Sequence, residues 1–177
     1  SEDSRKNAAS WVDPVNPSDD DVVQFMAKER LGAMQSFFQN PSNDVNPHER
    51  FVQKIVIRAA GQPNQRLFCM GDIHGCVHAL LRNLLVLYEH GHIRDDFTLA
   101  DNVHLMFLGD WTDRGLRGIE TIYTILRLKN ANWDRVHLVR GNHECKSQTT
   151  KYGFGQELVS KYPGSSLYDR IQRLYAT

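Results

Sequence analysis

Three short blocks of this sequence combine acidic, imidazole and amide side chains with glycine, and each block directly follows a short apolar run. The blocks span residues 71–75 (GDIHG), 109–115 (GDWTDRG) and 140–144 (RGNHE). Carboxylate, imidazole and amide groups are all ligands for metal cations in proteins. The residue types therefore predict a metal site, provided that the fold brings the three blocks together.

The spacing within the blocks indicates how cations would be shared. Asp72 and His74, one residue apart, can reach the same cation from one tight turn, while Asp110 is placed to bridge two cations. Asn142 offers a carbonyl oxygen to the second cation. This mixed donor set suits manganese, iron or zinc better than calcium. Two such ions can hold a bridging hydroxide and clamp phosphate oxygens for in-line displacement.

The remaining polar residues of the blocks supply the other roles of phosphate-ester hydrolysis. His143 follows the predicted Asn142 ligand and need not bind metal itself, so it is available to protonate a leaving alkoxide. Asp113 is the candidate for hydrogen-bonding the imidazole from behind and fixing its tautomer. Arg114 presents a planar fork suited to a phosphoryl group.

Short strands alternating with amphipathic helices must position the blocks. The apolar runs predict strands at residues 66–70, 103–108 and 136–139. Apolar residues at helical spacing predict helices over 77–87 and 119–128, with further helices around 156–162 and 166–175. This order is typical of βαβ units with parallel strands and right-handed crossovers. The carboxyl ends of parallel strands share one edge of the sheet, so we expect the three blocks to meet there.

The N-terminal third has a different character. Residues 1–18 are polar and carry Pro14 and Pro17, which favours an arm, and a helix is predicted from Ser18 to Asn40. Residues 51–58 are rich in β-branched side chains and predict a hairpin with the 66–70 strand, although a helix beginning near Pro47 is the alternative. We therefore divide the chain into an unassigned segment, 1–50, and a catalytic domain that begins at 51 and runs to 177.

Composition and charge exclude some classes of partner. The 177 residues are 41% hydrophobic and 24% charged with a formal net charge of zero, as in an ordinary soluble globular domain. A neutral chain has no electrostatic basis for binding nucleic acid or an anionic membrane. No stretch of about 18 uninterrupted apolar residues predicts a membrane span. The polar N-terminus lacks the apolar core of a signal peptide.

The three cysteines indicate the redox state of the compartment in which the protein works. Cys69, Cys76 and Cys145 are odd in number and lack the spacing of a zinc finger. We expect reduced thiols and a cytoplasmic protein. A redox-sensitive Cys145 close to the metals is the alternative interpretation.

The three blocks, in this order, resemble those of the phosphoprotein phosphatase family of calcineurin-like metallophosphoesterases. The similarity continues through Cys145 and the Tyr-Gly-Phe segment at residues 152–154, and it covers about residues 66–177. The resemblance implies an α/β fold of four layers, in which a β-sandwich is flanked by helices and a βαβαβ motif carries a two-metal site at its edge.

The resemblance also implies a role for each block residue. Asp72, His74 and Asp110 match the ligands of one metal, and Asp110 and Asn142 match ligands of the other. His143 matches the general acid of the family, and Asp113 matches the residue that orients it. Arg114 matches a phosphate-binding arginine.

This sequence departs from the family pattern in several places. Trp111-Thr112 stands where Tyr-Val is more usual, and the segment between the first two blocks is longer, as in bacterial members that act in a host cytoplasm. Two further histidine ligands and a second phosphate-binding arginine, expected downstream of residue 144, are not in the sequence. We therefore expect the N-terminal portion of a longer catalytic domain; the alternative is a second metal that is only half-ligated.

Three functions follow from these features. The first is a protein phosphatase acting on phosphoserine and phosphothreonine, with phosphotyrosine as a further substrate; its partners would be phosphorylated proteins, and its regulatory partners stay open. The second is a dinucleoside polyphosphate hydrolase, but such relatives tend to have Asp where this chain has Glu144. The third is a non-catalytic binding module that keeps the fold. Loss of a block residue would favour the third, and none is lost.

Overall fold

Residues 64–176 are the part of the chain that the computed structural model describes, and they alternate strands with helices as the sequence predicts. The elements in chain order are β1 Arg66–Met70, α1 Val77–Glu89, β2 Val103–Phe107, α2 Gly118–Ala131, β3 Val136–Leu138, α3 Lys146–Lys151, α4 Phe154–Lys161 and α5 Leu167–Tyr175. The predicted arm, the predicted helix of residues 18–40 and the strand of the predicted hairpin lie outside the described residues.

The three strands form one parallel sheet in the order β1-β2-β3. Phe68 of β1 lies opposite Leu105 of β2, which lies opposite Val136 of β3. The predicted parallel βαβαβ arrangement is therefore confirmed. Among residues 64–176 this is the only sheet, so the second sheet of the expected sandwich stays a prediction.

Two strands are one residue shorter than the sequence predicts. Strand β2 ends at Phe107 and β3 ends at Leu138, although Leu108 and Val139 are apolar. Both of these residues are almost half exposed, at 46% and 44%, whereas Phe107 is fully buried. Hydrophobicity alone therefore extends the predicted strands into the start of the loops.

A single apolar core lies between one face of the sheet and the helices. Every second residue of β2 is fully buried, and α1 and α2 bury leucine and isoleucine side chains one helical turn apart. Complete burial of such a side chain contributes about 1.5–3 kcal/mol, so this packing holds the strand ends in fixed relative positions. No helix of the described residues is long and apolar enough to cross a membrane.

The C-terminal helices pack on the start of α2. Glu157 of α4 accepts hydrogen bonds from the backbone N–H groups of Gly118 and Ile119, both at 3.0 Å. Lys161 donates to Glu157 at 2.9 Å and to Glu120 at 2.8 Å. Arg117 lies 3.7 Å from Glu120, so two cations face the two carboxylates. A helix leaves its first N–H groups without internal partners, and here another helix supplies the acceptor.

Helix α3 was missed by the sequence analysis. Its residues, KSQTTK, show no apolar periodicity, and only Thr149 is buried. The two later helices were predicted within about two residues of their observed bounds because each carries a buried apolar stripe.

A buried asparagine ties the end of α2 to the segment before β2. The side chain of Asn132 accepts a hydrogen bond from the Leu99 N–H at 2.7 Å and donates to the carbonyls of Phe97 and Leu128 at 2.8 and 2.9 Å. If the Asn132 side chain were removed, these buried backbone groups would lose their hydrogen-bond partner. Each unpaired group would then lower the stability of the fold, because water cannot reach it to replace the bond.

Replacing Asn132 with alanine should therefore lower the free energy of unfolding by about 2–4 kcal/mol. Chemical denaturation followed by circular dichroism measures this change. Asn130→Ala is the matched control, because Asn130 lies in the last turn of α2, two residues before Asn132, and is exposed. Equal stability of the two variants would contradict the bridging role of Asn132.

Candidate metal centre

The loops after β1 and β2 are joined by backbone hydrogen bonds at the carboxyl edge of the sheet. The N–H groups of Ile73 and His74 both donate to the Asp110 carbonyl, at 3.0 and 2.9 Å. The Gly115 N–H returns a bond to the His74 carbonyl at 3.0 Å. The first two blocks therefore form one interlocked structure, as the strand-edge argument predicts.

The loop after β3 is held to the second loop by the carboxylate of Glu144. This fully buried group accepts from the N–H groups of Asp110 at 2.7 Å, Trp111 at 2.8 Å and Gly141 at 2.9 Å. Charge-assisted bonds of this kind are stronger than neutral ones. The sequence analysis assigned no such role to Glu144, since its acceptance of three N–H groups depends on how two distant loops meet.

Four residues of the second and first blocks have unusual backbone conformations. His74, Asp110, Asp113 and Arg114 have positive φ angles of 49°, 52°, 71° and 65°. Such angles cost of order 1 kcal/mol for side chains other than glycine and persist only where the surroundings enforce them. The hydrogen bonds between the loops supply that enforcement, so the side chains leave the backbone in directions that an ordinary turn does not allow.

Close backbone approach explains two of the block glycines. A Cβ atom on Gly141 would overlap the Asp110 carboxylate, and one on Gly115 would overlap the His74 carbonyl. Any side chain at these positions would push a block residue out of place. Both glycines are therefore required for contact between the loops.

A cluster of potential ligand atoms forms where the loops meet. His74, Asp110 and His143 each bring one such atom within 4.8 Å of the others. The Thr112 carbonyl accepts from Nδ1 of His74 at 3.1 Å, which leaves Nε2 of that ring as an unprotonated donor atom. Asp72 is exposed, and its carboxylate lies 3.8 Å from this Nε2. Imidazole nitrogen and carboxylate oxygen are ligand types that transition-metal cations accept.

The predicted ligands differ in where the structure places them. His74 and Asp110 share one cluster of ligand atoms with His143, and Asp72 is exposed beside His74. Asn142 is exposed in the β3 loop and is followed by the buried His143. The assignment of four residues as metal ligands stays a prediction, namely Asp72, His74, Asp110 and Asn142.

His143 and Asp113 form a buried pair. Nδ1 of His143 lies 2.8 Å from Oδ2 of Asp113, and Oδ1 of Asp113 accepts from the Phe154 N–H at 3.1 Å. A carboxylate can only accept, so Nδ1 carries a proton and Nε2 is the atom left for chemistry. The His143 N–H also donates to Oδ1 of Asp110 at 2.9 Å, which places the ring beside the ligand cluster.

Cationic side chains surround an aromatic ring at the rim. Tyr152 packs on the His143 ring with centroids 5.0 Å apart, and its carbonyl accepts from the Arg114 N–H at 3.0 Å. The Arg114 guanidinium and the Lys151 ammonium lie 5.9 and 5.0 Å from the Tyr152 ring centre. Arg114 is exposed and reaches within 3.5 Å of Nε2 of His143, so it can meet an anion there.

Cys145 lies directly after this site. Its Sγ is 3.2 Å from the Ser147 hydroxyl, and hydrogen bonding by that hydroxyl, followed by the Gln148 N–H, lowers the pKa of the thiol. All three cysteines are free thiols. The redox alternative for Cys145 stays a prediction.

Comparisons with known proteins agree with this geometry. The family profile described as calcineurin-like phosphoesterase matches residues 65–176. The serine/threonine-protein phosphatase PP2A-like PPG1 of Candida albicans is 41% identical over 97 residues, which is 55% of this chain and 21% of that protein. The serine/threonine-protein phosphatase 4 catalytic subunit of Saccharomyces cerevisiae is 38% identical over 98 residues, which is 55% of this chain and 29% of that protein.

A solved structure shares the fold. A protein serine/threonine phosphatase from Saccharomyces cerevisiae with similarity to human PP5 superposes with a TM-score of 0.55 at 24% identity, covering 66% of this chain and 34% of that one. The matched region spans between a fifth and a third of the length of these relatives.

Gly141→Ala should weaken cation binding, because the new methyl group would displace the Asp110 carboxylate. Manganese titration calorimetry should show an affinity at least about tenfold lower, as when an orienting partner of a metal ligand is lost. Gly71→Ala is the matched control, since a Cβ there meets no atom within 4 Å. Equal affinity of the two variants would show that the loop contact does not position Asp110.

Proposed function

Because this chain belongs to the calcineurin-like phosphoesterase family, we propose that it is a metal-dependent phosphoprotein phosphatase acting on phosphoserine and phosphothreonine in proteins. The observation that carries the proposal is the buried His143–Asp113 pair beside the cluster of His74 and Asp110. The protein phosphatases of yeast that resemble this chain support the same substrate class. They are several times longer than the matched region, so the activity is proposed for the whole protein.

Two metal ions complete the proposed site. Asp72, His74 and Asp110 would hold one ion, and Asp110 and Asn142 would hold the other, with manganese, iron and zinc all compatible with the donor set. When bound, such ions neutralise phosphate charge and provide an activated water molecule near neutral pH.

His143 is the proposed general acid. The carboxylate of Asp113 keeps the proton on Nδ1, so the ring exchanges protons with the substrate only through Nε2. In the imidazolium form, which carries hydrogen on both ring nitrogens, Nε2 would give its proton to the leaving serine or threonine oxygen and so avoid the release of an alkoxide. The Phe154 N–H fixes Asp113 from the other side, so the ring is held before substrate arrives.

Arg114 is the proposed phosphate-binding residue. Its positive φ angle and its backbone bond to Tyr152 direct the side chain across the Tyr152 ring towards His143. A guanidinium can bind two phosphate oxygens at once, which orients the phosphoryl group for displacement. The phosphate would then lie between this cation and the metal-holding residues.

Phosphate release from defined substrates separates the candidate functions. We expect the full-length protein to release phosphate from phosphoserine and phosphothreonine peptides in the presence of manganese. Cleavage of a dinucleoside tetraphosphate alone, detected by chromatography of its two nucleotide products, would indicate the nucleotide hydrolase. Bound metal without hydrolysis of any substrate, phosphotyrosine peptide included, would indicate the binding module.

The acid and ligand roles separate in two variants. His143→Asn should lower kcat by about 10²–10⁴-fold with manganese affinity retained, because it removes a proton donor. Asp110→Asn should lower metal binding and activity together. His90→Asn, at an exposed position after α1, is the control. A loss of bound metal in His143→Asn equal to that in Asp110→Asn would show that His143 is a ligand.

A further inference from the structure

Tyr175, the last residue of α5, contacts the loop that carries Asp110. Its hydroxyl lies 3.2 Å from the Oγ1 of Thr112, and its ring meets the Trp111 ring edge-on with centroids 6.2 Å apart. Trp111 and Thr112 directly follow Asp110 in the chain. A helix 63 residues downstream in sequence therefore packs on the centre of the candidate metal loop.

Thr112 connects this helix to a candidate ligand. Its side chain is fully buried and bonds to Tyr175, while its carbonyl accepts the Nδ1 proton of His74 at 3.1 Å. Any shift of Thr112 therefore moves the group that selects the His74 tautomer. Because only the tautomer with hydrogen on Nδ1 leaves Nε2 free for a cation, the position of this carbonyl bears on metal binding.

Trp111 is held in place mainly by packing. Its Nε1 is buried and has no hydrogen-bond partner within residues 64–176, so the indole gains no orientation from that atom. Its backbone N–H is bound by Glu144 at 2.8 Å. The Tyr175 ring is thus an important lateral contact for this side chain.

The Tyr175 hydroxyl stays neutral. Burial raises its pKa well above the ordinary value near 10; the bond to Thr112 opposes this, and the carboxylates of Glu144 and Asp113 add to it. The hydroxyl can therefore act as donor or acceptor to Thr112 throughout the physiological pH range.

We propose that Thr112 and Tyr175 are positioning residues of the metal centre, and that their hydrogen bond holds the Thr112 carbonyl against Nδ1 of His74. The inference rests on the proposed function and adds a residue outside the three blocks.

Conservative variants of the full-length protein test the link. Thr112→Val and Tyr175→Phe each remove one hydroxyl with little change of shape, and each leaves the other hydroxyl buried without its partner. Thr112→Ser keeps the hydroxyl. Tyr168→Phe is the matched control, because it removes a similar tyrosine–threonine bond of 2.9 Å, to Thr149, from the same helix.

Two measurements report the effect of these variants on His74. Titration calorimetry gives the manganese affinity, and ¹⁵N NMR of the imidazole gives the His74 tautomer in metal-free protein. Thr112→Val and Tyr175→Phe should each lower the affinity by about tenfold, the low end for loss of a group that orients a ligand. Both should also show a mixture of His74 tautomers. Thr112→Ser and Tyr168→Phe should match the unmodified protein.

The double variant separates one shared bond from two independent effects. Thr112→Val with Tyr175→Phe should bind manganese no more weakly than either single variant, because both changes remove the same bond. Unchanged affinity and an unchanged His74 tautomer, together with a lower melting temperature, would overturn the proposal and leave a structural role only. Neither measurement requires hydrolysis, so failure of the phosphatase assay is distinguishable from failure of this inference.

Discussion

The buried carboxylate of Glu144 is the interaction on which the candidate site depends. It binds three backbone N–H groups, two from the loop after β2 and one from the loop after β3, in complete isolation from solvent. Without this acceptor the N–H groups would be buried and unpaired, and the two loops would separate. Asp110 is therefore held by its backbone from both sides, by Glu144 through its N–H and by the first loop through its carbonyl. The side chain is presented in one position before any cation binds.

The same loops show how a regular sheet supports an irregular site. Parallel strands bring their carboxyl ends to one edge, and the residues that follow are free of the sheet's hydrogen-bond pattern. Four residues other than glycine adopt left-handed angles there, and each carries a group proposed for metal or phosphate chemistry. The unfavourable angles are tolerated because the apolar core behind the sheet and the bonds between loops overdetermine the backbone. The stability of the apolar core thus offsets the backbone strain at the edge of the sheet.

Sequence reasoning predicts the parts of this protein that depend on local pattern. The runs before Gly71, Gly109 and Arg140 predicted the three strands, and apolar periodicity predicted α1, α2, α4 and α5. The edge rule predicted that the three blocks would meet, and His74, Asp110 and His143 do bring ligand atoms together; the ligand role of Asp72 stays a prediction. Helix α3 was not predicted because it is short and polar and has no apolar periodicity. The roles of Glu144 and Tyr175 escaped because each depends on a contact across more than 30 residues, and no periodicity encodes which backbone groups meet there.

The acceptor that Glu157 provides for the first turn of α2 has a consequence for the order in which the protein matures. The three blocks have all been synthesised once residue 144 has been added, yet the N–H groups of Gly118 and Ile119 must wait for a residue added about 40 positions later. Until α4 docks, the start of α2 and the loop that precedes it lack that support. A nascent chain on the ribosome therefore carries Asp72, His74, Asp110 and Asn142 before α4 can support the start of α2. Completion of the first turn of α2 is thus coupled to the docking of α4.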